Sequence, residues 1–464
     1  MIANLKPNFL IEDFEQSQNI IAAVSGGSDS LALLFLLREF LQKHDQDNRL
    51  VAVTIDHGLR PESLAEAKGV AEICRQHNIR HTIYVWQGDK PKVGISDKAR
   101  TARYNLLCKA AAHYNSNIIV TGHTFDDQIE TFRMRQMRLD KGRGLAGMAK
   151  EALLQQEFRL LRPLLNCKRA DLRNYLLTKN INWVDDPSND NLHYERVRIR
   201  KNPTPAIENE ICAQLETARL QREKNAQHIA KLIIETNAHW RDEQLIIKIA
   251  NDSLRQQPIF IHFIEILAGL IGGKAYVKPA PHALIEFLAY GAEAKKATHS
   301  ATIIENHPYE LRLWRELRNL VPITVKAQET AIWDGRFAFT NKNQEEFIVR
   351  APKLSEIHSR LNNIGNRNST KIKPHIPSLL TSPLIDKKSG SELPFIDQLD
   401  CCSPHYQITP VLMPFHWLAS SHDFAMLSPL YRLFKQRMAI KIKIDDVANK
   451  NLAEIPSYTL ASEE

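Results

Sequence analysis

Short apolar runs alternate with amphipathic stretches through the first 200 residues. Ile20 to Val24 (IIAAV) reads as a buried strand, and Leu50 to Ile55, His81 to Trp86 and Asn117 to Thr121 read as three more. Between and after them, Ser30 to Leu41, Ser63 to His77, Ser96 to Tyr114 and Asp126 to Met137 read as helices. Strands that alternate with helices predict an α/β domain, a doubly wound parallel sheet covered on both faces. The pattern changes after Arg200. Lys201 to Glu210 contains two prolines and predicts a linker. Ile211 to Trp240 predicts a long helix, with further helices over Pro258 to Leu270 and Ala280 to Tyr290. From about Pro322 the pieces are short and β-like, such as Ile332 to Thr340 and Glu346 to Val349. The expected organisation is an α/β domain over 1–205, a mostly helical domain over 206–320 and a mixed α+β domain over 321–464.

Composition narrows the class. A chain of 464 residues, 43% apolar and 25% charged, builds its own cores and needs no disulfide or metal staple. No apolar run approaches the roughly 20 residues of a membrane helix. The N-terminus lacks a basic segment followed by an apolar one, so no secretory signal is expected. Six cysteines, none in a CxxC pair, predict free thiols in a reducing cytoplasm. The formal charge of +8 favours a polyanionic partner, although many soluble proteins are mildly basic. A homodimer is one option for the assembly.

The strongest chemical signal is Ser25-Gly26-Gly27-Ser28-Asp29-Ser30 between a predicted strand and a predicted helix. The glycines permit close backbone approach, and loop amides with a helix N-terminus make a cup for an anion. Ser25, Ser28 and Ser30 add hydroxyls. Asp29 would repel phosphate unless it helps to hold Mg²⁺, with a second carboxylate such as Asp127. A serine-capped turn is the plain alternative. The GxxxxGK[ST] loop of kinases and GTPases does not occur, and neither do HExxH, GxSxG or a Cys/His metal spacing.

SGGSDS resembles the pyrophosphate loop of the N-type ATP pyrophosphatases, which cleave ATP between the α and β phosphates and adenylate a substrate oxygen. Four further stretches select within that superfamily: Asp56-His57-Gly58-Leu59-Arg60; Ile95-Ser96-Asp97-Lys98-Ala99-Arg100-Thr101-Ala102-Arg103-Tyr104; Thr121-Gly122-His123-Thr124-Phe125-Asp126-Asp127-Gln128-Ile129-Glu130; and Asp186-Pro187-Ser188-Asn189 with Tyr194 to Arg200. Together these resemble the tRNA(Ile)-lysidine synthases over about residues 20 to 200. The resemblance implies that ATP and Mg²⁺ bind at Ser25 to Ser30. It implies that O2 of a cytidine in the CAU anticodon of an isoleucine tRNA is adenylated, and that free L-lysine displaces AMP.

Several residues fit this chemistry on their own terms. A helix reaching back to His123 would put His123, Asp127 and Glu130 on one face, for phosphate contact and for holding an amine or metal. The same acids also suit an ordinary helix start, with Thr124 or Asp126 as cap. Arg100 and Arg103 share a helix face and suit a phosphate or a leaving pyrophosphate; an exposed basic face is the alternative. Asp56 and His57 end a strand where adenine or ribose could lie, or simply form a turn. The basic clusters Arg133, Arg135, Arg138, Lys141, Arg143 and Arg196, Arg198, Arg200, Lys201 fit an RNA backbone, or a solvated surface. The two domains after residue 205 are expected to grip tRNA. Two other readings stay open: a PP-loop tRNA thiolation enzyme, which generally needs working cysteines, and a non-catalytic tRNA- or nucleotide-binding protein.

Overall fold

The computed structural model describes residues 5–15, 17–88, 90, 94–137, 143–185, 205–289, 295–365, 374–396 and 403–437. Contacts group the chain into two units. The first is 1–231 with 414–428, and the second is 232–413 with 429–464.

In the first unit, strands β1 (Ile20–Ala23), β2 (Leu50–Asp56), β3 (Arg80–Val85) and β4 (Ile118–Thr121) alternate with helices α1 (Ser28–Gln42), α2 (Ser63–Gln76), α3 (Ile95–His113) and α4 (Phe125–Met137). These are the elements that the hydropathy pattern predicts, with ends shifted by one or two residues. Two strands escaped that pattern, β5 (Glu151–Leu154) and β6 (Phe158–Leu161), as did helix α5 (Arg169–Thr178). Helix α6 (Pro205–Glu235) follows. The predicted linker is corrected in its second half: Pro205 opens the helix, at a position where its missing N–H is no loss.

The sheet order is β3-β2-β1-β4-β6, all parallel, extended by antiparallel β5 and a short strand at Ala419–Ser420. Residue parity explains its burial. Ile20, Ala22, Leu50, Ala52, Ile118 and Val120 pack with α1, α2 and α5. Their neighbours Ile21, Ala23, Val51, Val53 and Ile119 pack with Leu107, Cys108, Ala110 and Ala111 of α3. Successive strand residues point to opposite faces, so a run apolar at every position must be covered twice. In α1 alone Leu31, Leu33, Leu34, Leu37 and Leu41 have no exposure, each burial stabilising by roughly 1.5–3 kcal/mol. Chain order reverses between β1 and β4, and this reversal fixes where a ligand can sit.

The second unit adds a sheet to the helices expected of its region. The helices Pro258–Ile271 and His282–Ala289 are present. Alongside them runs a five-stranded antiparallel sheet from strands His239–Arg241, Gln244–Lys248, Glu310–Arg315, Thr302–His307 and Lys295–His299, in that order. These strands are three to six residues long with polar outer positions, which weakens their pattern in sequence. Further on, a four-stranded and a three-stranded sheet share an aromatic core that includes Trp333, Phe337, Phe339 and Tyr406. The stretch read as one β piece over 332–340 is a hairpin, Thr330–Trp333 with Phe337–Asn341, turned by Asp334 and Gly335 at positive φ.

Candidate active site

The reversal between β1 and β4 opens into a cavity of about 1040 Å³. Its walls include Ser25 and Gly27 to Ser30, Asp56 and His57, Arg100 and Arg103, Thr121 to His123, Asp126 and Asp127, and Arg169 and Arg173. The sequence therefore brings four separated motifs to one place.

The loop is shaped by its own side chains. Gly26 has φ +85°, and a Cβ there would stand 3.2 Å from Val70 Cγ2. The Ser30 hydroxyl accepts from the Ser25 amide at 3.0 Å and donates to the Gly27 carbonyl at 3.0 Å. It lies 3.2 Å from the Ser25 hydroxyl. Ser30 thus braces the bend more than it offers a free donor. The amide of Val184 donates to the Gly26 carbonyl at 3.0 Å and ties the loop from outside. The first amides of α1 have no acceptor within the helix, and the helix dipole favours negative charge there. Loop and helix end together have the geometry that can seat an anion. Gly122 closes the other side: a Cβ on it would meet the Asp29 carbonyl oxygen at 2.8 Å, so β4 leaves the sheet in backbone contact with α1.

The acids are arranged differently from the predicted helical face. Helix α4 starts at Phe125, so His123 precedes it and the helical spacing does not apply. His123 is set instead by Thr121, whose hydroxyl lies 3.0 Å from Nδ1, and it still reaches the cavity wall. Asp127 closes a capping box with Thr124. Its Oδ2 accepts from the Thr124 amide at 2.8 Å and hydroxyl at 3.0 Å. The cap residue is therefore Thr124, and Asp127 serves both as helix start and as cavity wall. Asp126 Oδ2 accepts from the amide of Arg169 at 2.8 Å and so caps α5.

Arg169, which sequence reasoning did not single out, is the hub. Its Nε donates to Asp29 Oδ2 at 2.8 Å, its Nη2 lies 3.4 Å from Asp127 Oδ1, and its Nη1 lies 3.7 Å from Glu130 Oε1. Glu130 is buried behind this guanidinium and does not line the cavity. Burial pushes the Asp29 carboxyl up, against the pull of Arg169, and the charge of Asp127 adds to the rise. Burial would lower Arg169, but Asp29, Asp127 and Asp126 outweigh it and hold the guanidinium above its usual range. One signal in the sequence could have found it. A cation in the first turn of a helix opposes the helix dipole, so it calls for acids nearby.

The expected metal pair, Asp29 with Asp127, thus meets at a guanidinium. Asp29 Oδ1 also accepts from the Ser28 hydroxyl at 3.1 Å. Among the described residues no group of three His, Cys, Asp or Glu converges as a metal site. Mg²⁺ beside a bound phosphate needs only one or two carboxylates, and Asp29 and Asp127, both on the cavity wall, are the residues that would hold it.

Across the cavity Arg100 is exposed over the Tyr104 ring, 5.1 Å from its centroid, and Arg103 is half-buried, its guanidinium pulled below its usual range by burial. Asp56 is buried and its Oδ1 accepts from the Gly58 amide at 2.8 Å, so it shapes the turn after β2. Burial, then Arg103, hold the His57 ring below its usual value, and its buried Nδ1 has no hydrogen-bond partner among the described residues. Arg173 of α5 stands at the loop, with Nε 3.4 Å from the Ser28 hydroxyl and Nη2 2.6 Å from Asp185 Oδ1. It was likewise not predicted. Arg133 and Arg135 are half-buried on α4, and Arg135 donates to the Gly144 carbonyl. Arg143 opens a short turn, Arg143–Ala146. Arg138, Lys141, Arg196, Arg198, Arg200 and Lys201 lie outside the described residues.

Comparisons with known proteins give the family. A PP-loop domain model matches residues 2–207. The tRNA(Ile)-lysidine synthase of Bartonella quintana is 36% identical, the match covering 92% of this chain and 97% of that protein. Those of Bartonella henselae and Brucella anthropi are 34% and 39% identical, covering 94% and 76% of this chain and 98% and 81% of theirs. A solved U34-tRNA thiolase from Methanococcus maripaludis covers 45% of this chain and 75% of its own at 16% identity and a TM-score of 0.38, too slight a likeness to carry an argument. Identity at that level, sustained over more than nine-tenths of the chain in the two Bartonella proteins and not only through the phosphate loop, makes the chain a member of the tRNA(Ile)-lysidine synthase family, enzymes built on a PP-loop domain.

Proposed function

We propose that the protein ligates free L-lysine to C2 of the wobble cytidine in a tRNA(Ile) with a CAU anticodon, converting ATP to AMP and pyrophosphate. The observation that carries this reading is the single cavity with the Ser25–Ser30 anion seat on one wall and Asp127 on another. The β and γ phosphates lie against the loop amides, with Arg100 and Arg103 offering guanidinium forks to the departing pyrophosphate. Cytidine O2 attacks the α phosphorus, and the bond from that phosphorus to the pyrophosphate oxygen breaks. His123 stands near the adenylated oxygen. The ε-ammonium of lysine gives up a proton, with Asp127 on the cavity wall as acceptor and Glu130 acting through Arg169. The free amine attacks C2, the C2–O bond breaks, and AMP leaves with the oxygen. Asp56 and His57 flank the adenosine.

Mg²⁺ is proposed as the companion of ATP, where Asp29 and Asp127 would hold it and it would neutralise charge on the phosphates. The RNA contacts proposed are Arg133, Arg143, Arg196, Arg198 and Arg200, with regions 206–320 and 321–464 gripping the rest of the tRNA. An unpaired anticodon base enters a pocket at little cost in stacking. A cytoplasmic location is proposed from the thiol chemistry; among the described residues no helix is long and apolar enough to cross a membrane. Sulfur transfer draws no support from Cys74, Cys108 and Cys167. Cys74, Cys108 and Cys167 are buried, their thiols pushed up by burial to about 12, 12 and 11, and a working cysteine needs a depressed value and access.

The test combines the protein, ATP, labelled lysine and an unmodified transcript with a CAU anticodon. Label entering RNA with matching AMP and pyrophosphate is expected. Pyrophosphate without lysine uptake points to another nucleophile, and no ATP turnover points to a binding protein.

A further inference from the structure

Three carboxylates from two helices share one guanidinium at the cavity wall. Arg169 reaches Asp29 on the phosphate-loop side at 2.8 Å, and Asp127 and Glu130 on the α4 side at 3.4 and 3.7 Å. Its amide is fixed by Asp126 at 2.8 Å, so backbone and side chain are both held by acids. Its side chain is 19% exposed, open to the cavity yet shielded enough for charge to matter. We propose that Arg169 is a positioning residue that sets the charge balance of the cavity, allowing one pocket to accept a triphosphate on the loop side and an ammonium on the α4 side. The ammonium part of this inference rests on the proposed function above.

The physical argument is one of sign. Asp29 and Asp127 repel a polyanion and attract a cation, and the guanidinium between them offsets both effects. Removing it leaves the acids uncompensated, so the affinities for ATP and for lysine move in opposite directions. A residue that merely held the fold would shift both the same way.

The experiment measures KM for ATP and KM for lysine with the full-length protein, Arg169→Met and Arg169→Lys, on the CAU transcript. For Arg169→Met the expected result is a rise of about tenfold in KM for ATP, the effect of leaving the acids uncompensated, with KM for lysine lower. Arg169→Lys keeps the charge and brings KM for ATP back to within about threefold. A parallel rise of both constants overturns the inference, as does no change in either. Should Arg169→Met fail to fold, Arg169→Gln carries the same expectation. If the unaltered protein releases pyrophosphate but takes up no lysine, the proposed function fails by itself. KM for ATP then judges Arg169 alone: a tenfold rise supports the role and an unchanged value overturns it.

Discussion

At the residue scale, the site depends on positions where a side chain has no room. Gly26 adopts φ +85° with Val70 beside it, and Gly122 lies against the Asp29 carbonyl. Holding a side chain at such a φ costs roughly 1–3 kcal/mol. Gly26→Ala is therefore expected to lower ATP-dependent pyrophosphate release about tenfold or more while the far-ultraviolet circular dichroism stays unchanged. Wild-type turnover in that variant would show that the bend is not the phosphate seat. The glycines and the serines of this loop were legible in sequence because their spacing is local. Arg169 was not, since its partner Asp29 lies 140 residues away along the chain.

At the element scale, α4 shows one acid doing two jobs. Thr124 is fully buried and Asp127 bonds back to it, so the helix start and the cavity wall are the same structure. Thr124→Ala should cost about 1 kcal/mol of stability, typical of a lost cap, and should loosen Asp127. Thermal melts together with lysine incorporation check this, with incorporation expected to fall more than the melt implies. The sequence presented two readings of these acids, helix start or chemistry, and the structure shows that both geometries coexist. The expected face through His123 failed because the helix begins two residues later, and a helix end is the least legible feature of a pattern. Strand β6 escaped notice for another reason. Phe158–Leu161 is only four residues long with an arginine inside it, too short to show a period.

At the scale of the whole molecule, protonation and buried charge govern stability. Burial holds His57, His81, His416 and His422 in the first unit below their ordinary value of 6.5. Their unfolded forms bind protons more readily, so this contribution is present above pH 6.5 and is lost as pH falls through that value. The melting temperature is expected to drop between about pH 7.5 and 5.5. A flat profile over that range, followed by scanning calorimetry, would contradict it. In the second unit, Arg437 and Glu243 form a buried ion pair, with Arg437 4.3 Å from the Trp240 ring centroid and 4.6 Å from that of Phe337. Glu243→Ala leaves a buried guanidinium without its carboxylate and should destabilise by about 3–5 kcal/mol. A change below about 1 kcal/mol in denaturant titration would show that water reaches the pair.

The sequence by itself determined the alternation of strand and helix, the doubly covered sheet and the phosphate loop. Each of these is written in neighbouring residues, as period, parity or glycine spacing. Only the tertiary structure decided that Arg169 ties Asp29 to Asp127, that Glu130 stands behind it, and that residues 414–428 join the first unit. Those features depend on which distant segments the reversal of strand order brings together. A one-dimensional pattern contains no distance between residues far apart in the chain, and charge pairing at the cavity is decided by distance.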